Sequence, residues 1–192
     1  MAEPVRHVVH LAIAEAGKVA LLDGDYPEAL RQLREAIRLA VSSRAPEIFF
    51  RHYTQCVLEA LELSGDHAEV IAMCREADAF YQTVEREAPL LAKDHGSILE
   101  RLGIALLQSD ERADAKDALD RAVSRAGPGV LPLAEAVAGW LARGFAVPPT
   151  QLRQAQRRFN YFVVREDTVD RRRARAIPPE AANADPRRLF AG

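Results

Sequence analysis

Residues 17–36 read GKVALLDGDYPEALRQLREA, and the fold of the whole chain turns on them. Gly17, Gly24, Tyr26, Ala29 and Ala36 stand seven, two, three and seven positions apart. The same intervals recur at Leu58, Gly65, His67, Val70 and Ala77, and again at Gly103, Asp110, Arg112, Ala115 and Ala122. A spacing repeated three times in 192 residues marks stacked helical hairpins. Such arrays mostly present an extended binding surface rather than a catalytic pocket.

Working outward, each repeat predicts two helices and a turn. Val8, Leu11, Ala12, Glu15 and Val19 follow helical spacing over 7–22, and Asp23-Gly24-Asp25 breaks the run. Asp25 can cap the next helix, and Pro27 fits its first turn, where a missing N–H costs nothing. That helix runs to about Val41, with Leu30, Leu33 and Ile37 on one face. Further helices are expected at 47–63, 67–86, 89–108 and 111–125, with Asp66 capping the fourth and Ser109 or Asp110 the sixth. Small residues stand where paired helices must touch: Gly17 with Ala29, and Gly103 with Ala115. A glycine inside a helix costs about 1 kcal/mol against alanine, so two at matching places point to close packing.

Residues 131–145, LPLAEAVAGWLARGF, read as a capping helix that covers the last apolar face with Leu133, Val137, Trp140 and Leu141. After Pro148-Pro149 a basic amphipathic helix is expected over 148–176, its apolar side carrying Leu152, Ala155, Phe159, Phe162 and Val163. Arg157, Arg158, Arg165 and Arg171 fall elsewhere on that cylinder. Phe159–Val164 also has strand-like composition. Residues 177–192, rich in Pro and Ala, read as an irregular tail. The expected organisation is therefore a repeat domain with its cap over 1–147, the basic helix over 148–176, and the tail.

Composition bounds the function. Hydrophobic residues make up 48% and charged residues 28%, as in ordinary globular proteins. The net charge of −2 hides an asymmetry: residues 1–147 carry 16 basic and 23 acidic side chains, residues 148–192 carry 10 and 5. The basic end is suited either to its own acidic body or to an acidic partner. Cys56 and Cys74 make neither a disulfide framework nor a ligand cluster, which fits a reduced, cytoplasmic setting. No secretory signal and no membrane span are read from the sequence.

The spaced residues resemble the tetratricopeptide repeat. Gly17, Ala20, Gly24, Tyr26, Ala29, Ala36 and Ile37 match its signature best, then Gly103, Asp110, Ala115, Ala122 and Val123, and last Gly65, Cys74 and Ala77. Units start 41 and 45 residues apart, from Gly24 to Gly65 to Asp110, so the resemblance is to the longer-helix variants. It implies an all-α, right-handed helical-hairpin solenoid of three units plus a capping helix, followed by the C-terminal basic helix. It also implies a concave groove lined by the first helix of each hairpin. There it places Lys18, His52, Gln55, Glu59, Glu100 and Arg101 as candidates for holding a peptide or helix of a partner protein. The family's carboxylate clamp is not reproduced: Ala14, Lys18, Cys56 and Ser97 stand at its other positions, and only Arg101 matches. Glu59 and Glu100 suit a basic or mixed ligand.

Catalytic chemistry finds little footing. The chain has no GxxxxGK[ST], GxGxxG or GxSxG motif, and His7 and His10 lack further ligands at metal-binding spacing. No cofactor is implied. The expected role is that of an adaptor, scaffold or chaperone. One rival is self-association or autoregulation through the basic helix. Another is nucleic-acid binding, favoured by Tyr161 and Phe162 among the arginines but opposed by Glu166, Asp167 and Asp170 and by the acidic body.

Overall fold

The structure, a computed structural model, describes residues 3–84 and 88–177. Among the described residues the chain is all-α, with eight α-helices and no strand. They are α1 (Glu3–Leu22), α2 (Tyr26–Ser42), α3 (Glu47–Ser64), α4 (His67–Thr83), α5 (Pro89–Gln108), α6 (Arg112–Ala126), α7 (Pro132–Ala142) and α8 (Pro149–Arg158). The residues form two compact units, Met1–Ser64 with Val163–Gly192, and Gly65–Phe162. The division falls inside the 1–147 span read as one domain, and the chain returns to the first unit after completing the second.

In the first unit, α1 packs on α2 and α2 on α3. Gly17 sets the closeness of α1 and α2: a Cβ there would lie 2.7 Å from Leu33 Cγ. Asp25 caps α2 as its sequence position implies, its carboxylate accepting the Glu28 N–H at 3.1 Å. The core gathers Ile13, Ala14, Ala36, Ala40 and Tyr53 with Ile177 from the returning segment. His10 is buried there too, its Nδ1 hydrogen-bonded to the Tyr53 hydroxyl at 2.8 Å, with the Phe49 ring edge-on to it. The side chain of His7 lies outside those described.

The second unit repeats the device. α5 packs on α4 and α6, and α7 on α6. A Cβ on Gly103 would lie 2.5 Å from Leu119 Cγ. Leu119 follows Ala115 by four positions, as Leu33 follows Ala29, so both hairpins close on the same pair of sites. Asp78 of α4 ties three helices together: His95 Nε2 of α5 donates to Oδ1 at 2.7 Å and Arg121 of α6 to Oδ2 at 2.5 Å. Burial alone would raise the Asp78 carboxyl, but these hydrogen bonds outweigh it and hold the group below its usual range. Within α7, Leu133, Val137 and Leu141 are buried and Trp140 half-buried.

The turn between paired helices needs a left-handed residue. Gly24 and Gly65 supply it with φ of 80° and 86°, and at the third equivalent place Asp110 adopts φ 66°. Asp110 therefore does not cap α6. Glu111 stands at that N-cap, with no side-chain hydrogen bond.

The C-terminal basic helix expected over 148–176 is shorter than its pattern suggests. α8 ends at Arg158, Asn160 turns the chain with φ 51°, and the path to Ile177 is non-helical apart from a 3-10 turn at Glu166–Thr168. The apolar period through Phe162 and Val163 persists, but Val163 and Val164 give their N–H groups to a side chain of α3 instead of to a helix. Beyond Ile177, the span read as an irregular tail lies outside the described residues.

Candidate peptide-binding face

In the first unit, one face of α1 and α3 receives the returning segment. Glu59, near the middle of α3, has no exposed surface. The Val163 N–H donates to its Oε2 at 2.7 Å, and the Val164 N–H approaches both carboxylate oxygens at 3.3 Å. A buried carboxylate is costly unless its lone pairs are filled, and these amides help fill them. On α1, Glu15 accepts the Asp170 N–H at 2.9 Å, and the Ala12 carbonyl accepts the Arg175 N–H at 3.0 Å. Arg171 reaches Asp23 at 3.1 Å, an exposed pair that adds little.

The segment ends on α2. The Gln32 side chain both donates to the Ile177 carbonyl and accepts its N–H, each at 3.1 Å, and Arg31 donates to the same carbonyl. Ile177 is 1% exposed and Val164 4%, so two branched aliphatic side chains anchor the run. Each contributes roughly 1.5–3 kcal/mol of burial. Between them Thr168 holds a local turn, its hydroxyl accepting the Arg165 N–H and set against the Val163 and Arg165 carbonyls.

Lys18, His52 and Gln55 lie in this unit. Lys18 is buried and pairs with Glu15 at 2.5 Å. His52 is half-buried, with Nε2 3.8 Å from Cys56 Sγ. Burial, followed by the nearby Lys18 charge, pushes His52 below the usual histidine range, against a smaller opposing effect from Glu15. Gln55 is half-buried on α3.

In the second unit, Glu100 and Arg101 are both buried. Glu100 accepts the Ala134 N–H at 2.9 Å, in the first turn of α7. No α7 side chain caps that end, so the α5 carboxylate does the work and meets the positive end of the helix dipole. The Arg101 guanidinium lies over the Tyr161 ring, 4.7 Å from its centroid.

Glu15, Glu59 and Glu100 thus share a role. Each stands on the first helix of its hairpin and accepts main-chain N–H groups from a later part of the chain. Counted from Gly17, Leu58 and Gly103, they fall at −2, +1 and −3, so Glu59 stands three or four positions from each of the others on the repeat pattern, while Glu15 and Glu100 fall one position apart.

Sequence reasoning missed Gln32, Glu15 and Ile177 as parts of this arrangement. Gln32 did leave a signal: it is a polar residue between Ala29 and Leu33 on the stripe that α2 must bury. Ile177 left none, because its partner is 145 positions away.

The arginines expected on one helix are dispersed. Arg157 and Arg158 end α8, while Arg165 and Arg171 follow in non-helical chain, and Arg171 also pairs with Glu166. Among the described residues, no three His, Cys, Asp or Glu side chains gather as a metal site, and no helix is long and apolar enough to cross a membrane. No family model, curated protein or solved structure matches the chain.

Proposed function

We propose that the chain is a protein-interaction module, an adaptor, scaffold or chaperone of the reduced cytoplasm. In this reading its hairpins are tetratricopeptide-like units in a right-handed array, and the face of their first helices holds a segment of a partner protein. The observation that carries it is the set of inward carboxylates, Glu15 and Glu59, receiving main-chain N–H groups of a non-helical segment. Main-chain amides are common to every peptide, so such carboxylates suit peptide capture, with apolar anchors adding selectivity. The half-buried His52 and Gln55 are the side chains best placed to read a ligand without belonging to the core.

Affinity co-purification of the full chain from native lysate, with mass spectrometry, tests the role. A stoichiometric protein partner is expected, with affinity at least tenfold weaker for Gln55→Arg. Recovery of no stoichiometric protein counts against an interaction module. A partner indifferent to Gln55→Arg moves its site off α3. Substitution is preferable to truncation at 147, which would remove the residues held by Glu59 and Gln32.

A second reading, self-association, draws on the same segment. A run seated in its own unit can seat equally in a second copy, giving an exchanged dimer. Light scattering of the full chain across concentrations distinguishes a monomer from such a dimer.

A further inference from the structure

The contacts of residues 163–177 are those of a bound peptide more than those of a structural element. The segment contributes no helix beyond one 3-10 turn. It is held by main-chain groups at Glu59, Glu15, Ala12 and Gln32, and by two aliphatic anchors, Val164 and Ile177. Its arginines between those anchors, Arg165, Arg171 to Arg173 and Arg175, are half-buried or exposed, and Arg171 faces Asp23.

We infer that this face of the first unit is a docking site for a non-helical, arginine-rich partner segment bracketed by two branched aliphatic residues, and that residues 163–177 are its resident occupant, which the partner displaces. This rests on the interaction-module reading and specifies its ligand. The run carries Arg165, Arg171, Arg172, Arg173 and Arg175 against Glu166, Asp167 and Asp170, a net charge of +2, and Arg171 meets Asp23 at the end of α1. Covalent attachment gives the resident segment a local concentration on the order of millimolar, so a free competitor sees only the small fraction of open sites.

The test uses the full chain and a labelled peptide of residues 163–177, N-acetylated and C-amidated, in a fluorescence-anisotropy titration. The variant Val164→Asp/Ile177→Asp weakens the resident segment and leaves the receiving side chains intact. The expected result is binding of the peptide by the variant at least tenfold tighter than by wild type, and loss of that binding on adding Glu59→Gln. Equal binding by both chains, or none by a variant that keeps its helical circular dichroism, overturns the inference. If the variant loses helicity, hydrogen exchange on wild type decides. The Val163, Val164 and Ile177 amides should exchange at least tenfold faster than core amides of α3; equal protection overturns displacement. The assay contains no outside protein, so its failure leaves the lysate experiment free to stand or fall separately.

Discussion

Gln32 and Ile177 are paired as two strands would be: the side-chain amide of one satisfies both main-chain polar groups of the other, with both residues almost wholly buried. A buried donor or acceptor left without a partner costs about 1–3 kcal/mol. Gln32→Leu takes the acceptor from the Ile177 N–H, while Arg31 still donates to the Ile177 carbonyl, and should destabilise the chain by about 1–3 kcal/mol. Gln32→Glu keeps the acceptor and should lose less at acidic pH, where its carboxyl can donate. Urea unfolding of both variants beside wild type separates the cases, and midpoints equal to that of wild type would show that the pairing contributes nothing.

Gly103 and Gly17 should resist even alanine. A methyl group at Gly103 meets Leu119 Cγ at 2.5 Å and the Ala115 carbonyl at 3.1 Å, backbone that cannot turn aside. The helix-propensity gain of about 1 kcal/mol is then overridden by a packing cost of about 1–3 kcal/mol. Gly139 of α7 is the control, since its nearest neighbour is Arg143 Nη1 at 3.7 Å, the end of a flexible side chain. Gly139→Ala should stabilise by up to about 1 kcal/mol. Thermal midpoints that move in the same direction for both would sink the packing argument.

Asp110 carries strain that its equivalents do not. With φ 66° it holds the conformation that Gly24 and Gly65 occupy without a side chain. Non-glycine residues pay roughly 1–2 kcal/mol there, less for Asp than for most. Asp110→Gly should therefore raise stability by up to about 1 kcal/mol, read as a later urea midpoint at unchanged slope.

Acid should weaken the chain in two stages. His52 titrates below the ordinary histidine value of 6.5, so the unfolded chain takes up the proton first. Its contribution is complete above that value and is lost as pH falls through it toward the lower folded one. Asp78, held below the ordinary 3.8, contributes above that value and is lost as pH falls through its folded value. His52→Gln should flatten the first stage and leave the second. An unchanged pH profile of the urea midpoint would exclude His52 as its source.

The repeat made most of the helices legible. Pro89 opens α5 and Gln108 closes it as the pattern predicts, and Asp25 and Asp66 cap α2 and α4. These features are local: a cap, a proline and a period all act within a few residues. Residues 159–176 were not legible as they fold, because what ends their helical path is not local. Asn160 can turn left-handed wherever tertiary contacts favour it, and the acceptor awaiting Val163 sits 104 positions earlier, in the middle of α3. Glu59 and Glu100 were legible as polar residues of the first helices but were read as groove side chains for a basic or mixed ligand, whereas both carboxylates accept main-chain N–H groups from later parts of this chain.

The return of the chain at Val163 also imposes an order on its synthesis. Glu59 leaves the ribosome 104 residues before the amide that fills it. At about 5–20 residues per second, that is roughly 5–20 s with a carboxylate facing an unfinished core. The second unit is one continuous run, Gly65–Phe162, with its partners at hand as it emerges. The first unit, although made first, closes last, and a nascent chain arrested before Ile177 would present its α1–α3 surface open to whatever segment of matching chemistry lies nearby.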